Sequence, residues 1–119
     1  MLTEFGRFLR KMRIDKNLLL KNMADDLNVS SSFLSSVEHG KKEVPYSWEK
    51  KIASLYDLAV DDIAELHSAI VNSQQIIKMD LANEEIFNRN VAMCFSRKIN
   101  DMDEDTADRI LKILNERSN

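Results

Sequence analysis

Only two glycines and one proline, Gly6, Gly40 and Pro45, occur in the 119 residues. Glycine supplies the positive φ and proline the fixed negative φ of most tight turns that a β fold needs, so a chain this poor in both has few places to reverse sharply. What fills it instead is Leu, Ile, Ala, Met, Lys and Glu, residues that lose little on entering a helix. With 44% hydrophobic residues it can close a core. The expectation is an all-α chain, one domain in size or one small domain with an added oligomerisation segment.

Periodicity places the helices. Phe5, Phe8, Leu9, Met12 and Arg13 form one stripe behind Thr3, which predicts a helix over 3–15 with Thr3 as its N-cap. Leu18, Met23, Ala24 and Leu27 mark a second near 19–27, ended by Asn28, a residue that tolerates the left-handed conformation. The stretch "SSSFLSS" that follows has the composition of a linker. Yet Ser30 stands where an N-cap is wanted, and Phe33, Leu34 and Val37 fall at helical spacing, so a short helix over 30–38 is predicted, closed by Gly40. Pro45 permits a fresh start. Trp48, Ile52, Leu55 and Tyr56 give a fourth helix its buried face, Asp57 takes the glycine-like stop, and Asp61 or Asp62 caps a fifth.

Beyond this, Ile63, Leu66, Ile70, Gln74 and Ile77 follow a near-heptad spacing, the seam of a helix that needs a partner. After a break at 80–83, Ile86, Phe87, Val91, Cys94 and Phe95 mark a helix over 83–98. The acids of "NDMDEDTADR" then open a last helix at its positive end, with Ile110, Leu111, Ile113 and Leu114 on its apolar side.

Charge divides unevenly. Residues 1–60 hold 10 Lys/Arg against 8 Asp/Glu, a net of +2, and residues 61–119 hold 7 against 12, a net of −5, summing to the chain's −3. The first half is the one suited to a polyanion. No apolar run approaches the roughly 18 residues of a membrane span, and "MLTEFGRFLRKMR" alternates charged and apolar residues unlike a signal peptide, so a soluble cytoplasmic protein is expected. Cys94 is the only cysteine, which excludes an internal disulfide or a zinc cluster, and its flanks Met93 and Phe95 read as packing. The acidic run 101–105 lacks the glycine and twelfth-position Glu of a calcium loop and is read as helix capping. His67, on the polar side of its helix, is expected to be inert. No nucleophile-base set, P-loop or dinucleotide fingerprint is present, so no catalytic residue, metal, cofactor or small-molecule ligand is expected.

Two short helices joined by a tight turn, the second polar and followed by lysines, outline a helix-turn-helix reader. The stretch "LLLKNMADDLNVSSSFLSSVEHGKKEVP" resembles the lambda-repressor-like (Cro/CI, or Xre) DNA-binding domain. Met23-Ala24, Leu27-Asn28-Val29-Ser30, Leu34-Ser35, Glu38-His39-Gly40 and Pro45 match its pattern in order and spacing, over about residues 5–66. The resemblance implies a five-helix DNA-binding domain over 1–66. It pairs Glu38 with Arg13 as a structural ion pair, places Ser31, Ser32, Phe33 and Ser36 against base edges, and leaves Lys21, His39, Lys41 and Lys42 for phosphates. Serine hydroxyls both donate and accept, so direct discrimination among bases is expected to be modest and DNA shape to carry part of the specificity. One departure stands out: the family's Thr/Ser-Gln phosphate clamp at the start of the first motif helix is Leu19-Leu20 here.

Residues 67–119 are then expected to form a helical dimerisation region of about three helices. The implied function is a sequence-specific transcriptional regulator, a prophage-type or mobile-element repressor that binds a double-stranded DNA operator as a homodimer. An antitoxin or a restriction-modification controller is the alternative within DNA binding. From another class comes a protein-interaction module on the same scaffold without DNA, favoured by the net −3 charge.

Overall fold

The computed structural model describes residues 1–116; the last three positions of the expected dimerisation region, 117–119, lie outside the described residues. All regular structure among them is helical: α1 (Glu4–Lys16), α2 (Leu20–Asp26), α3 (Ser31–Glu38), α4 (Trp48–Leu55), α5 (Val60–Ser73), α6 (Ile86–Lys98), a 3-10 turn at Ile99–Asp101 and α7 (Glu104–Glu116). The chain divides into two compact units after Ile77.

Local chemistry sets the helix ends of the first unit. Thr3 caps α1 by accepting the Gly6 N–H at 3.0 Å, and its hydroxyl donates to the Glu38 carbonyl at 3.0 Å, tying the start of α1 to the end of α3. Three non-glycine residues take the left-handed conformation that ends or redirects a helix, Asn17 (φ 55°), Asn28 (φ 59°) and Asp57 (φ 49°). Asp61 and Asp62 do not cap α5. The N-cap position is Ala59, and both acids lie inside the first turn, where the unsatisfied N–H groups favour negative charge.

Every helix of this unit contributes to one core: Phe5, Leu9 and Met12 from α1, Met23 and Ala24 from α2, Leu34 and Val37 from α3, Trp48 and Ile52 from α4, Leu66 and Ala69 from α5. Each large apolar side chain fully buried there stabilises the fold by roughly 1.5–3 kcal/mol relative to exposure. Trp48 is the hub, with the Phe5 ring centroid at 6.3 Å and the Phe33 ring edge-on at 6.0 Å. Leu55, expected in the buried face of α4, is 45% exposed, because that helix turns only Trp48 and Ile52 inward. Tyr56 is half-buried and its hydroxyl donates to Asp26 at 2.8 Å, which with burial raises the phenol above its ordinary pKa of 10.0.

The near-heptad stripe from Ile63 to Ile77 meets a partner inside this unit. α5 packs on α1 through Leu66 and Ala69, with Ile70 half-buried beside them. The helix stops at Ser73, so Gln74 lies beyond it and Ile77 is 77% exposed. The expected boundary after residue 66 therefore falls in mid-helix, and the compact unit runs on to Ile77.

Among the described residues of the second unit α6, the 3-10 turn and α7 follow one another, two helices and a turn, where about three helices were expected from residue 67 onward. Hydrogen bonds from Thr106 to Asp103, the backbone one at 2.8 Å, open α7 and hold the Asp103 carboxyl below its ordinary range. No residue of this unit is buried among the described residues. Cys94, expected to pack, is exposed, as are Ile86, Phe87, Val91, Leu111 and Leu114.

Candidate nucleic-acid interface

The turn between α2 and α3 is built from inside out. Leu27 is buried, Asn28 reverses the chain, and the Val29 N–H returns to the Ala24 carbonyl at 2.9 Å while its side chain packs against the core. Ala24 is fully buried within the core. Lys51 from α4 adds a bond to the Leu27 carbonyl at 3.3 Å. Ser30 then caps α3, its hydroxyl accepting the Phe33 N–H at 3.0 Å.

α3 turns Leu34, Val37 and Glu38 inward. Ser32 and Ser36, four residues apart and so on one face, stand on the opposite side, Ser32 exposed and Ser36 half-exposed. Ser31 is half-buried at the start of the helix. Phe33 is the residue whose placement differs most from the expectation. Its ring packs edge-on against Trp48 as part of the core's rim, so only the remainder of the ring is available to a ligand.

Glu38 closes the inner side. Arg13 Nη2 donates to Glu38 Oε1 at 3.1 Å while Nη1 donates to Oε2, a two-point pairing with both side chains more than nine-tenths buried. A buried carboxylate without such a partner would cost several kcal/mol. The bond fixes the orientation of α3 against α1, and the absence of any side-chain atom beyond Cα at Gly6 permits the approach: a Cβ there would overlap the Glu38 carbonyl oxygen.

After α3 the chain presents cations. Gly40 takes φ 76°, and the N–H groups of Lys41 and Lys42 both return to the Ser36 carbonyl, at 2.9 and 3.3 Å. Both lysine side chains are exposed, as is Lys21 in the first turn of α2. His39 is half-buried with Nδ1 at 2.8 Å from the Ser35 carbonyl. That bond assigns the proton to Nδ1, so the neutral ring offers only a lone pair at Nε2, and only the imidazolium could donate to a phosphate.

Where the family's clamp is missing, Leu19 precedes α2 with no side-chain acceptor and is 71% exposed. The helix start is closed instead by Asn22, whose amide oxygen accepts the Leu19 N–H at 2.9 Å. Sequence reasoning also passed over Ser73 and read Gln74 only as a position on the near-heptad seam. Ser73 accepts the Phe5 N–H at 3.0 Å and Gln74 accepts the Val44 N–H at 3.1 Å, bonds between distant segments that no local pattern announces.

A profile of the helix-turn-helix domain family matches residues 4–66, more than half of the chain. The chain belongs to this family. The match spans α1 to α4 and the first half of α5, and so includes the α2-turn-α3 pair just described. No curated protein and no solved structure matches the chain. Among the described residues, no group of three or more His, Cys, Asp or Glu is placed to hold a metal ion, and no helix is long and apolar enough to cross a membrane.

Proposed function

We propose that this chain is a sequence-specific DNA-binding transcriptional regulator, a repressor of the prophage or mobile-element kind, acting as a homodimer on a two-half-site operator. The observation that carries the reading is the outer face of α3: Ser32 and Ser36 exposed to different degrees on a helix locked by Arg13 and Glu38, with Lys41 and Lys42 directly after it. In this reading Ser31, Ser32 and Ser36 approach base edges in the major groove, and Phe33 adds an apolar contact from its exposed edge. Lys21, Lys41 and Lys42, with His39 when protonated, hold phosphates.

Dimerisation belongs to the second unit in this scheme, because Leu66, Ala69 and Ile70 of α5 already pack into the first unit's own core. Phe87, Val91, Leu111 and Leu114 are exposed there, apolar side chains that a second copy could cover. A different protein could cover the same surface, as the antitoxin reading requires; co-purification with the product of an adjacent gene would favour it.

Binding of labelled DNA from the region upstream of the coding sequence, titrated at several salt concentrations, tests the regulator. Three lysines on each of two protomers predict that log K falls by about 5 per log unit of salt, at roughly 0.9 per phosphate contact. Salt-insensitive or absent binding to every native fragment refutes it.

A further inference from the structure

The loop that carries Lys41 and Lys42 is held at both ends, and the two holds come from different parts of the chain. At its near end the carbonyls of α3 do the work: His39 N–H to Ser35 at 3.0 Å, Gly40 N–H to Val37 at 3.1 Å, and both lysine N–H groups to Ser36. At its far end the Val44 N–H is accepted by the side-chain oxygen of Gln74 at 3.1 Å, a residue thirty positions later in the chain. Val44 itself is buried. The bond is part-buried, and losing it would forfeit about 0.5–1.5 kcal/mol of net hydrogen bonding, enough to let the loop settle elsewhere.

Gln74 is also the residue at which the chain leaves α5. Its own N–H closes the helix on the Ile70 carbonyl at 3.1 Å, and its backbone is already extended, with φ −85° and ψ 126°. Ser73, one position earlier, accepts the Phe5 N–H and donates to the Ala69 carbonyl, so the backbone from which the Gln74 side chain projects is fixed to α1.

We infer that Gln74 is a positioning residue for phosphate contact: it sets the Lys41–Lys42 loop from the exit of α5, the point where the chain departs towards the second unit. The inference rests on the DNA-binding reading proposed above and adds to it a residue outside the helix-turn-helix and outside residues 4–66 of the family match.

Full-length Gln74→Met and Gln74→Glu chains test this. Methionine keeps the length and removes the acceptor; glutamate keeps the acceptor. In Gln74→Met, well below its unfolding temperature, affinity for upstream DNA is expected to fall about three- to tenfold, the equivalent of one net hydrogen bond. The salt slope should become shallower by roughly 1 per protomer as one lysine loses its phosphate. Amide exchange at Val44 should quicken in Gln74→Met and stay slow in Gln74→Glu. A residue that merely stabilised the fold would lower the unfolding temperature and leave the slope unchanged. Wild-type affinity and slope in Gln74→Met, or equal Val44 exchange in both variants, overturns the inference. A wild-type chain without salt-sensitive binding overturns the DNA reading and this role together, a result distinct from a variant that binds as wild type does.

Discussion

Gly6→Ala sets two physical effects of opposite sign against each other. Gly6 lies in the first turn of α1, and helix propensity alone makes alanine there more stable by up to about 1 kcal/mol. The tertiary neighbours argue the reverse. A Cβ at residue 6 would overlap the Glu38 carbonyl oxygen and lie 3.0 Å from its carbonyl carbon and 3.1 Å from its Cα, all backbone atoms of α3 that cannot rotate away. Relief requires α1 and α3 to part, and overpacking of this kind costs about 1–3 kcal/mol. Parting would also lengthen the two bonds from Thr3 to the Glu38 carbonyl and strain the Arg13–Glu38 pairing, placing the cost at the upper end. The net expectation is a loss of about 1–2 kcal/mol. For a unit of this size that is a fall of roughly 5–15 °C in unfolding temperature, read by circular dichroism at 222 nm. An unchanged or raised unfolding temperature in Gly6→Ala would refute the argument that contact with the Glu38 backbone fixes this position as glycine.

Glu38→Gln leaves Arg13 buried and unpaired and is expected to destabilise by about 3–5 kcal/mol in urea unfolding, whereas Arg13→Met combined with Glu38→Leu should recover most of the loss. Ser30→Ala removes the α3 cap at a cost of about 1 kcal/mol. Ser32→Ala and Ser36→Ala should fold normally; altered preference among operator variants indicates direct readout, and uniform weakening indicates recognition of shape. Because the Tyr56 phenol is raised above its unfolded value of 10.0, its contribution to stability is complete below about pH 10 and is lost as pH climbs from there through the folded value. Tyr56→Phe should accordingly flatten the alkaline limb of an unfolding-temperature profile. Light scattering on the full chain and on residues 1–77 should give a dimer and a monomer respectively; a monomeric full chain at micromolar concentration removes the dimerisation role of the second unit.

Much of the first unit could be read from residues whose chemistry is local. Thr3 and Ser30 cap helices wherever they occur before an apolar stripe, and Asn28 and Asp57 tolerate left-handed backbone, so these ends were visible in the sequence. Asn17 does the same and carried no distinguishing signal. The stripe from Ile63 to Ile77 illustrates a deeper limit. Its spacing states that a helix has an apolar side, but a helix from the same chain and one from a second copy satisfy that side equally, and α1 is what meets it. Phe33 shows the converse, since a helical position near the outer face does not reveal that a tryptophan from α4 waits beside it. Asn22 was within reach as the third residue of a helix that begins without a capping side chain. Ser73 and Gln74 were not, because their partners Phe5 and Val44 are brought to them only by the completed fold.

The course of α5 also bears on how such a chain can be rearranged. A genetic exchange that kept residues 4–66 and replaced everything after them would sever this helix beside Leu66, discard Ala69 from the core, and strand the N–H groups of Phe5 and Val44. A junction after Ile77 would disturb none of these. New partners can therefore be grafted onto this domain only downstream of its own last helix, so recombinants joined at the family boundary should be selected against while those joined a turn or two beyond Ser73 survive.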